Sequence, residues 1–215
     1  MVRELCSFAK SKNVSWSKTV NGVFVEFLDK STIRIDRELS ELDLFSLEFI
    51  NVLGKYTDYV IVSGYVAILL GRARASEDID VIIPKFDFST FQSFYDDLER
   101  EGFYCLNASE DDTIFQVLKN GSPIRFSRNE QVIPNVELKW AENKFDRMTL
   151  EKKITVKLPE GDIYISPLEM QIAFKEEVLK SPKDMEDAQH IRDVAQEYLS
   201  EDTIEKYKGM LSEFY

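Results

Sequence analysis

"SGYVAILLGRARASEDIDVII", residues 63–83, is the stretch on which the fold turns. A pair of small residues, Ser63 and Gly64, precedes an apolar run that closes at Gly71. A polar connection follows, and then an apolar stretch interrupted by Asp78 and Asp80. "DYVIVSG" reads as a buried strand, the run after it as a short helix over about 65–71, and "DIDVIIP" as the next strand. Pro84 ends that strand because it has no N–H to give to a ladder. Residues two apart on a strand share a face, so Asp78 and Asp80 project together while Ile79 points to the other side. Two carboxylates so placed repel. A divalent cation relieves the repulsion, and Mg²⁺ is usually held by one or two carboxylates together with substrate phosphates and water. A bare Asp-x-Asp is more often two solvated acids at a strand end. Here the flanking "VIV" and "VII" can bury the strand as a rigid support, and Gly64 stands at a strand-to-helix junction where backbone N–H groups can face a phosphate.

Working outward toward the N-terminus, "GVFVEFL" and "STIRIDR" alternate on either side of Asp29 and Lys30, which predicts a β-hairpin. Ser40 is a candidate N-cap for a helix to about Leu53, with Leu42, Phe45, Leu47, Phe49, Ile50 and Leu53 at mixed three- and four-residue steps. Toward the C-terminus, "FDFSTFQSFYDDLEREG" predicts a helix closed by Gly102, and "FYCLN" a strand. Ser109 and the three acids after it predict a capped helix over about 110–119, although "NG" at 120–121 could equally turn a hairpin. "IRFSR", "NVELKW", "ITVKL" and "DIYIS" alternate as strands. In "NVELKW" the alternation sets Val136 and Leu138 on one face and Glu137 with Lys139 on the other.

Near residue 165 the punctuation changes. "SPLE" at 166–169 and "SPKD" at 181–184 each offer a Ser cap, a Pro at the first helical position and an acid three residues after the cap. A third helix after Ser200 carries Ile204, Tyr207, Leu211 and Phe214 inward. With no internal repeat, low-complexity tract or flexible linker, the helical tail is expected to pack on the sheet, an α+β arrangement. Residues 1–37 are then a hairpin extension, 38–165 the core and 166–215 the C-terminal helical segment.

Composition limits what such a chain can be. The 215 residues are 44% hydrophobic, ample for a buried core. Cys6 and Cys105 are too few for a disulfide framework and lack zinc-site spacing, so they read as reduced thiols of a cytoplasmic protein. "MVRELCSFAKSK" carries Glu4 and no long apolar region, so no signal peptide is expected, and "YVAILL" is too short to span a bilayer. The net charge of −12 argues against extended binding to a nucleic-acid backbone, which depends on Lys and Arg displacing counterions.

Residues 58–192, most strongly 61–83, resemble the nucleotidyltransferase superfamily that includes DNA polymerase beta and the minimal nucleotidyltransferases. The shared signature is a small-residue pair, a gap of about this size, and Asp-x-Asp; here 13 residues separate Gly64 from Asp78. Within the superfamily the stretch looks most like the AbiEii-type prokaryotic proteins, and Gly71, Arg74, Ser76, Asp78 and Asp80 occupy their pattern. Ser63 departs from the usual first glycine and Ser76 from a threonine; Ser63 is small and brings a hydroxyl of its own. The resemblance implies a mixed-sheet nucleotidyltransferase fold with the N-terminal hairpin and C-terminal helices added to it. It implies Mg²⁺ or Mn²⁺ on Asp78, Asp80 and a third carboxylate from a later strand, with Ser63, Gly64, Arg74 and Ser76 around the nucleoside triphosphate.

Glu137 is the best third carboxylate, with Asp146 and Asp162 as substitutes and a solvent-side pairing with Lys139 as its bland alternative. "ISPLEMQIAFKEEVLKSPKDMEDAQHI" looks like the family's later pattern, with Lys175, Asp184 and Asp187 in place. Lys175 either reaches the triphosphate or lies on a solvated helix face; Asp184 and Asp187 equally suit helix capping. Arg72 is a second candidate clamp, and His190 is given no chemistry. The implied activity is transfer of an NMP to an acceptor hydroxyl on a protein, a tRNA or a small molecule, with no membrane partner. The rival is a nucleotide-binding or toxin-antitoxin partner module without turnover.

Overall fold

The computed structural model describes residues 16–213. Cys6 and Phe214, for which the sequence carried expectations, lie outside them. Ten strands form one mixed sheet in the order β1-β2-β3-β9-β10-β4-β5-β8-β7-β6. They are β1 (Trp16–Val20), β2 (Val23–Asp29), β3 (Thr32–Asp36), β4 (Val60–Val62), β5 (Asp78–Ile83), β6 (Phe103–Cys105), β7 (Ile124–Arg128), β8 (Asn135–Trp140), β9 (Ile154–Leu158) and β10 (Gly161–Ile165). The pairs β3–β9, β10–β4 and β5–β8 are parallel and the rest antiparallel. Eight α-helices accompany them among the described residues: α1 (Glu41–Leu53), α2 (Gly64–Leu69), α3 (Phe88–Arg100), α4 (Asp111–Lys119), α5 (Lys144–Glu151), α6 (Leu168–Phe174), α7 (Pro182–Val194) and α8 (Glu201–Leu211). The chain is thus an α+β protein on a mixed sheet. None of these helices is long and apolar enough to cross a membrane.

The face of the central strands that carries Ile79, Val81, Val136 and Leu138, all buried, rests on an aromatic core. Phe49 of α1, Phe94 of α3 and Phe126 of β7 meet there with ring centroids 5.5–6.1 Å apart. Edge-to-face and tilted aromatic contacts at this range add to the burial of large apolar area. α1 begins at the Ser40 cap, where Ser40 N–H donates to Asp43 (2.8 Å) and Asp43 N–H to the Ser40 hydroxyl (3.2 Å), a reciprocal box. The Tyr65 hydroxyl of α2 donates to the same Asp43 (2.7 Å). A buried carboxylate therefore ties α2 to the start of α1 and steadies the turn that leads into α2.

The hairpin expected over β2 and β3 is present, but it belongs to a three-stranded unit. β1 precedes it through Asn21-Gly22, both at positive φ (49° and 81°). That turn suits two antiparallel strands, and Asn-Gly is its favoured filling. β3 then pairs with β9, which joins the hairpin to the main sheet. At 120–121 the helical reading holds: α4 ends at Asn120, with Gly121 at φ 81°. Its N-cap is Glu110 instead of Ser109. Ser166 also fails to cap α6. Its N–H still donates to the Ile61 carbonyl (2.9 Å) as a continuation of the sheet, so the helix begins a residue later with Pro167 at the cap position. Ser181 and Ser200 cap α7 and α8 as expected. Between α6 and α7, residues Lys175–Leu179 form a π-helical turn that the periodicity did not predict.

Candidate active site

β5 delivers the acidic pair. Ile79 is fully buried on the core face, so Asp78 and Asp80 stand on the opposite one, Asp78 exposed and Asp80 half-buried. β5 and β8 are parallel neighbours whose register sets Asp80 beside Glu137, and β7 sets Arg125 beside Glu137 in turn. On the other flank Val62 of β4 is opposite Asp80. One row across the sheet therefore reads Val62, Asp80, Glu137, Arg125. The sequence identified the acids of that row and missed the arginine.

Arg125 donates to one Glu137 oxygen through both Nε (2.9 Å) and Nη2 (2.6 Å). Lys139 is not the partner of Glu137. A residue directly across a strand pair is nearer than one two positions along the same strand, so Arg125 wins. Asp146 is an N-terminal box residue of α5: its N–H donates to Asn143 Oδ1 (2.8 Å), and its carboxylate accepts from the Glu142 N–H (3.1 Å). Asp162 lies exposed on β10 opposite Lys157. Of the three candidate third carboxylates, the sheet register sets Glu137 next to Asp80.

Burial, the Asp78 charge and the Glu137 charge push the Asp80 carboxyl up to about 6, while a hydrogen bond from the Ser63 hydroxyl and the Lys139 charge pull it down. Ser63 sits at φ 65°, ψ −137°, a region that costs a residue with a side chain on the order of 1–3 kcal/mol. That is why a glycine is the easier choice there. Its hydroxyl makes no helix-cap bond, which leaves it for Asp80. Ser76 reaches the other acid, donating toward Asp78 Oδ1 at 3.2 Å and the Asp78 carbonyl at 3.1 Å.

Gly64 has a requirement of its own. A β-carbon there would stand 2.7 Å from Arg74 Nη2, because the guanidinium lies against this glycine. Arg74 is held by Asp187 Oδ2 (2.5 Å), and Arg72 also binds Asp187. Lys175 donates to the same Asp187 (2.8 Å) and to Asp184 (3.0 Å). Its side chain is 1% exposed and that of Asp187 fully buried, so the solvated-face reading of "KEEVLK" is replaced by a buried ionic knot with three cations around Asp187. Asp184 also receives the Ser181 cap geometry, since its N–H donates to the Ser181 hydroxyl (3.2 Å). Gly71 closes α2 at φ 89°, where a β-carbon would meet the Val20 carbonyl at 2.7 Å. His190 bonds the Leu70 carbonyl (3.0 Å) and faces no acid of the row.

Because the Gly64 clash is with the far end of Arg74, Gly64→Ala is expected to act through that side chain more than through the fold. If Arg74 serves the phosphates, Gly64→Ala and Arg74→Ala each weaken triphosphate binding and the double variant is no weaker than the worse single one. Calorimetric titration of the four proteins checks this; strictly additive losses would separate the two residues.

As a donor set, Asp78 and Asp80 suit a divalent cation that arrives with phosphates: two acids on one face, one of them raised partly by its acidic neighbours. Among the described residues no group of three or more His, Cys, Asp or Glu side chains is gathered closely enough to hold a metal, and Glu137 is engaged by Arg125. The fit is therefore to the aspartate pair.

No protein-family model matches the chain, and no curated protein matches it. Among solved structures it is similar to an antigenic nucleotidyltransferase-like protein from Paracoccidioides brasiliensis, at 14% identity and a TM-score of 0.47, over 81% of this chain and 89% of that one.

Proposed function

We propose that the chain is a metal-dependent nucleotidyltransferase that moves an NMP from a nucleoside triphosphate to an acceptor hydroxyl and releases pyrophosphate. One observation carries the reading: Asp78 and Asp80 share the open face of β5, Glu137 lies beside Asp80, and Ser63-Gly64 with Arg74 adjoin them at the end of β4. Asp78 and Asp80 would hold Mg²⁺ or Mn²⁺, which when bound neutralises phosphate charge and makes an acceptor hydroxyl more acidic. Arg74, fixed on Asp187, presents a positive charge to the leaving phosphates, and the Ser63 and Gly64 backbone lets them approach closely. Glu137 is the residue placed to take part where the acceptor oxygen is activated. Lys175, enclosed by its two aspartates, contributes by holding the carboxylate on which Arg74 rests. The setting is a cytoplasmic protein, and the acceptor is a protein, a tRNA or a small molecule.

A second reading, a nucleotide-binding or toxin-antitoxin module without turnover, is favoured by the Arg125 clamp on Glu137. The two readings differ in what Glu137→Gln does. As a participant in the transition state, Glu137 gives a loss of about 10²-fold in kcat with nucleotide affinity little changed. As a surface partner of Arg125, 53% exposed on the arginine side, it contributes at most about 1 kcal/mol to stability and nothing to turnover. Single-turnover kinetics beside a binding isotherm decides, and transfer at the wild-type rate by the Gln variant would remove Glu137 from the mechanism.

A further inference from the structure

β5, β8 and β7 set Asp80, Glu137 and Arg125 in one row across the sheet, with Asp78 two residues back along β5 on the same face. Neighbouring strands lie about 4.8 Å apart, so the register alone would let three carboxylates converge on one cation. They do not converge. Among the described residues no three acids are gathered closely enough to hold a metal. Arg125 supplies the reason. Its Nε (2.9 Å) and Nη2 (2.6 Å) both donate to Glu137 Oε2 from β7, which lies on the side of β8 remote from Asp80. The carboxylate is drawn toward β7 and away from the aspartate pair.

The clamp has a fixed base and an open head. The Arg125 N–H donates to Asn107 Oδ1 (2.6 Å) and its carbonyl accepts from the Leu106 N–H (2.8 Å), so its backbone is anchored on the segment after β6. The Arg125 side chain is 53% exposed and that of Glu137 20%. Ion pairs this open to water are weak, so a stronger attraction parts them without disturbing the sheet. The hydrogen bond and charge of Glu137 raise the Arg125 guanidinium above its ordinary range, and the charges of Asp78 and Asp80 add to the effect. Arg125 thus belongs electrostatically to the whole acidic row.

We propose, resting on the nucleotidyltransferase reading, that Arg125 is a positioning residue that withholds Glu137 from the metal site of the free protein. The free site is then a pair of carboxylates, which holds a divalent cation weakly until triphosphate oxygens share in its coordination. Arg125 gives up Glu137 only when a cation already held by the aspartates competes for it. The pairing therefore sets an order of assembly, with the metal entering together with the triphosphate and not ahead of it. A cross-strand pair that served the sheet alone would stabilise its two strands and leave metal affinity unaffected.

The test is Mn²⁺ binding to the full chain without nucleotide, followed by the electron paramagnetic resonance of the free ion. It compares wild type, Arg125→Ala, Glu137→Gln, the variant carrying both changes, and Arg125→Ala combined with Asp80→Asn. Arg125→Ala is expected to bind Mn²⁺ about 10-fold more tightly than wild type, because a third carboxylate joins the set. Glu137→Gln is expected to bind no more tightly than wild type. In the Glu137→Gln background Arg125→Ala is expected to bring little of that gain, since the arginine acts through Glu137. No gain in Arg125→Ala overturns the proposal. An equal gain in both backgrounds also overturns it, because the arginine would then act as a distant charge and not through Glu137. Both results spare the nucleotidyltransferase reading, in which the cation arrives with the triphosphate. A gain that persists with Asp80→Asn places the ion away from the aspartate pair and overturns both.

Discussion

Asp80→Asn is expected to lower NMP transfer on the order of 10³-fold and, in the same protein, to raise the melting temperature in EDTA at neutral pH. The two effects have one cause. Burial and the charges of Asp78 and Glu137 hold the folded carboxyl at about 6, above its ordinary value of 3.8. Below about pH 4 the carboxyl is protonated in both folded and unfolded chains and costs nothing. Between pH 4 and 6 the unfolded chain releases its proton first, so metal-free stability falls; above pH 6 the cost is complete. A shift of this size corresponds to an upper bound of about 3 kcal/mol, and partial contact with water reduces it to about 1–2 kcal/mol. Asparagine removes that cost, which for a chain of this length is worth roughly 2–8 °C. Calorimetric scans at pH 7.5 and pH 4 check the sign: a gain at pH 7.5 that vanishes at pH 4. A variant as active as wild type, or less stable at pH 7.5, contradicts the placement of Asp80 in a repulsive metal-binding pair.

The second large effect concerns Asp187. Its carboxylate is fully buried and receives Arg72, Arg74 and Lys175, of which Lys175 is 1% exposed. Asp187→Ala leaves those cations with only the partly exposed Asp184 and the exposed Glu186. Removing one partner of a buried ion pair costs about 3–5 kcal/mol, because the remaining charge is left uncompensated. Urea denaturation is expected to show that loss. Asp184→Ala, at the rim of the same knot, is expected to cost less. A loss under about 1 kcal/mol for Asp187→Ala would mean that water reaches the knot freely. Under the proposed nucleotidyltransferase function, triphosphate binding is expected to weaken as well, since Arg74 loses the carboxylate that holds it beside Gly64.

Much of the arrangement was legible because the strands obey a period of two. "DIDVII" announced that its acids share a face, and "NVELKW" announced that Glu137 opposes Val136 and Leu138. Alternation does not reveal which strands are neighbours. Arg125 was therefore missed, although it alternates openly in "IRFSR"; only the β7–β8 pairing sets it across from Glu137. Lys175 was misread as a candidate for a solvated face for a related reason. "KEEVLK" taken alone is mostly charged, whereas Lys175 continues the buried face of α6 three and four residues after Ile172 and Gln171, and the acids that receive it come from α7. The two Asn-Gly pairs show how context selects between turn chemistries. Asn21-Gly22 lies between alternating stretches and makes a hairpin, whereas Asn120-Gly121 follows a helical repeat and ends it. α5 was overlooked because eight residues give too few turns for periodicity, although Asn143 and Asp146 carry a capping pattern.

The central claim is that this face transfers a nucleotide, not a phosphate, and one measurement separates those outcomes. The protein is incubated with Mg²⁺ or Mn²⁺, a cell extract and each common nucleoside triphosphate labelled at either the α- or the γ-phosphorus. The account predicts α-label on an acceptor, pyrophosphate released one for one with it, no γ-label on any acceptor, and loss of transfer in Asp80→Asn. Transfer of γ-label, or no transfer of α-label from any triphosphate with either metal, would contradict it.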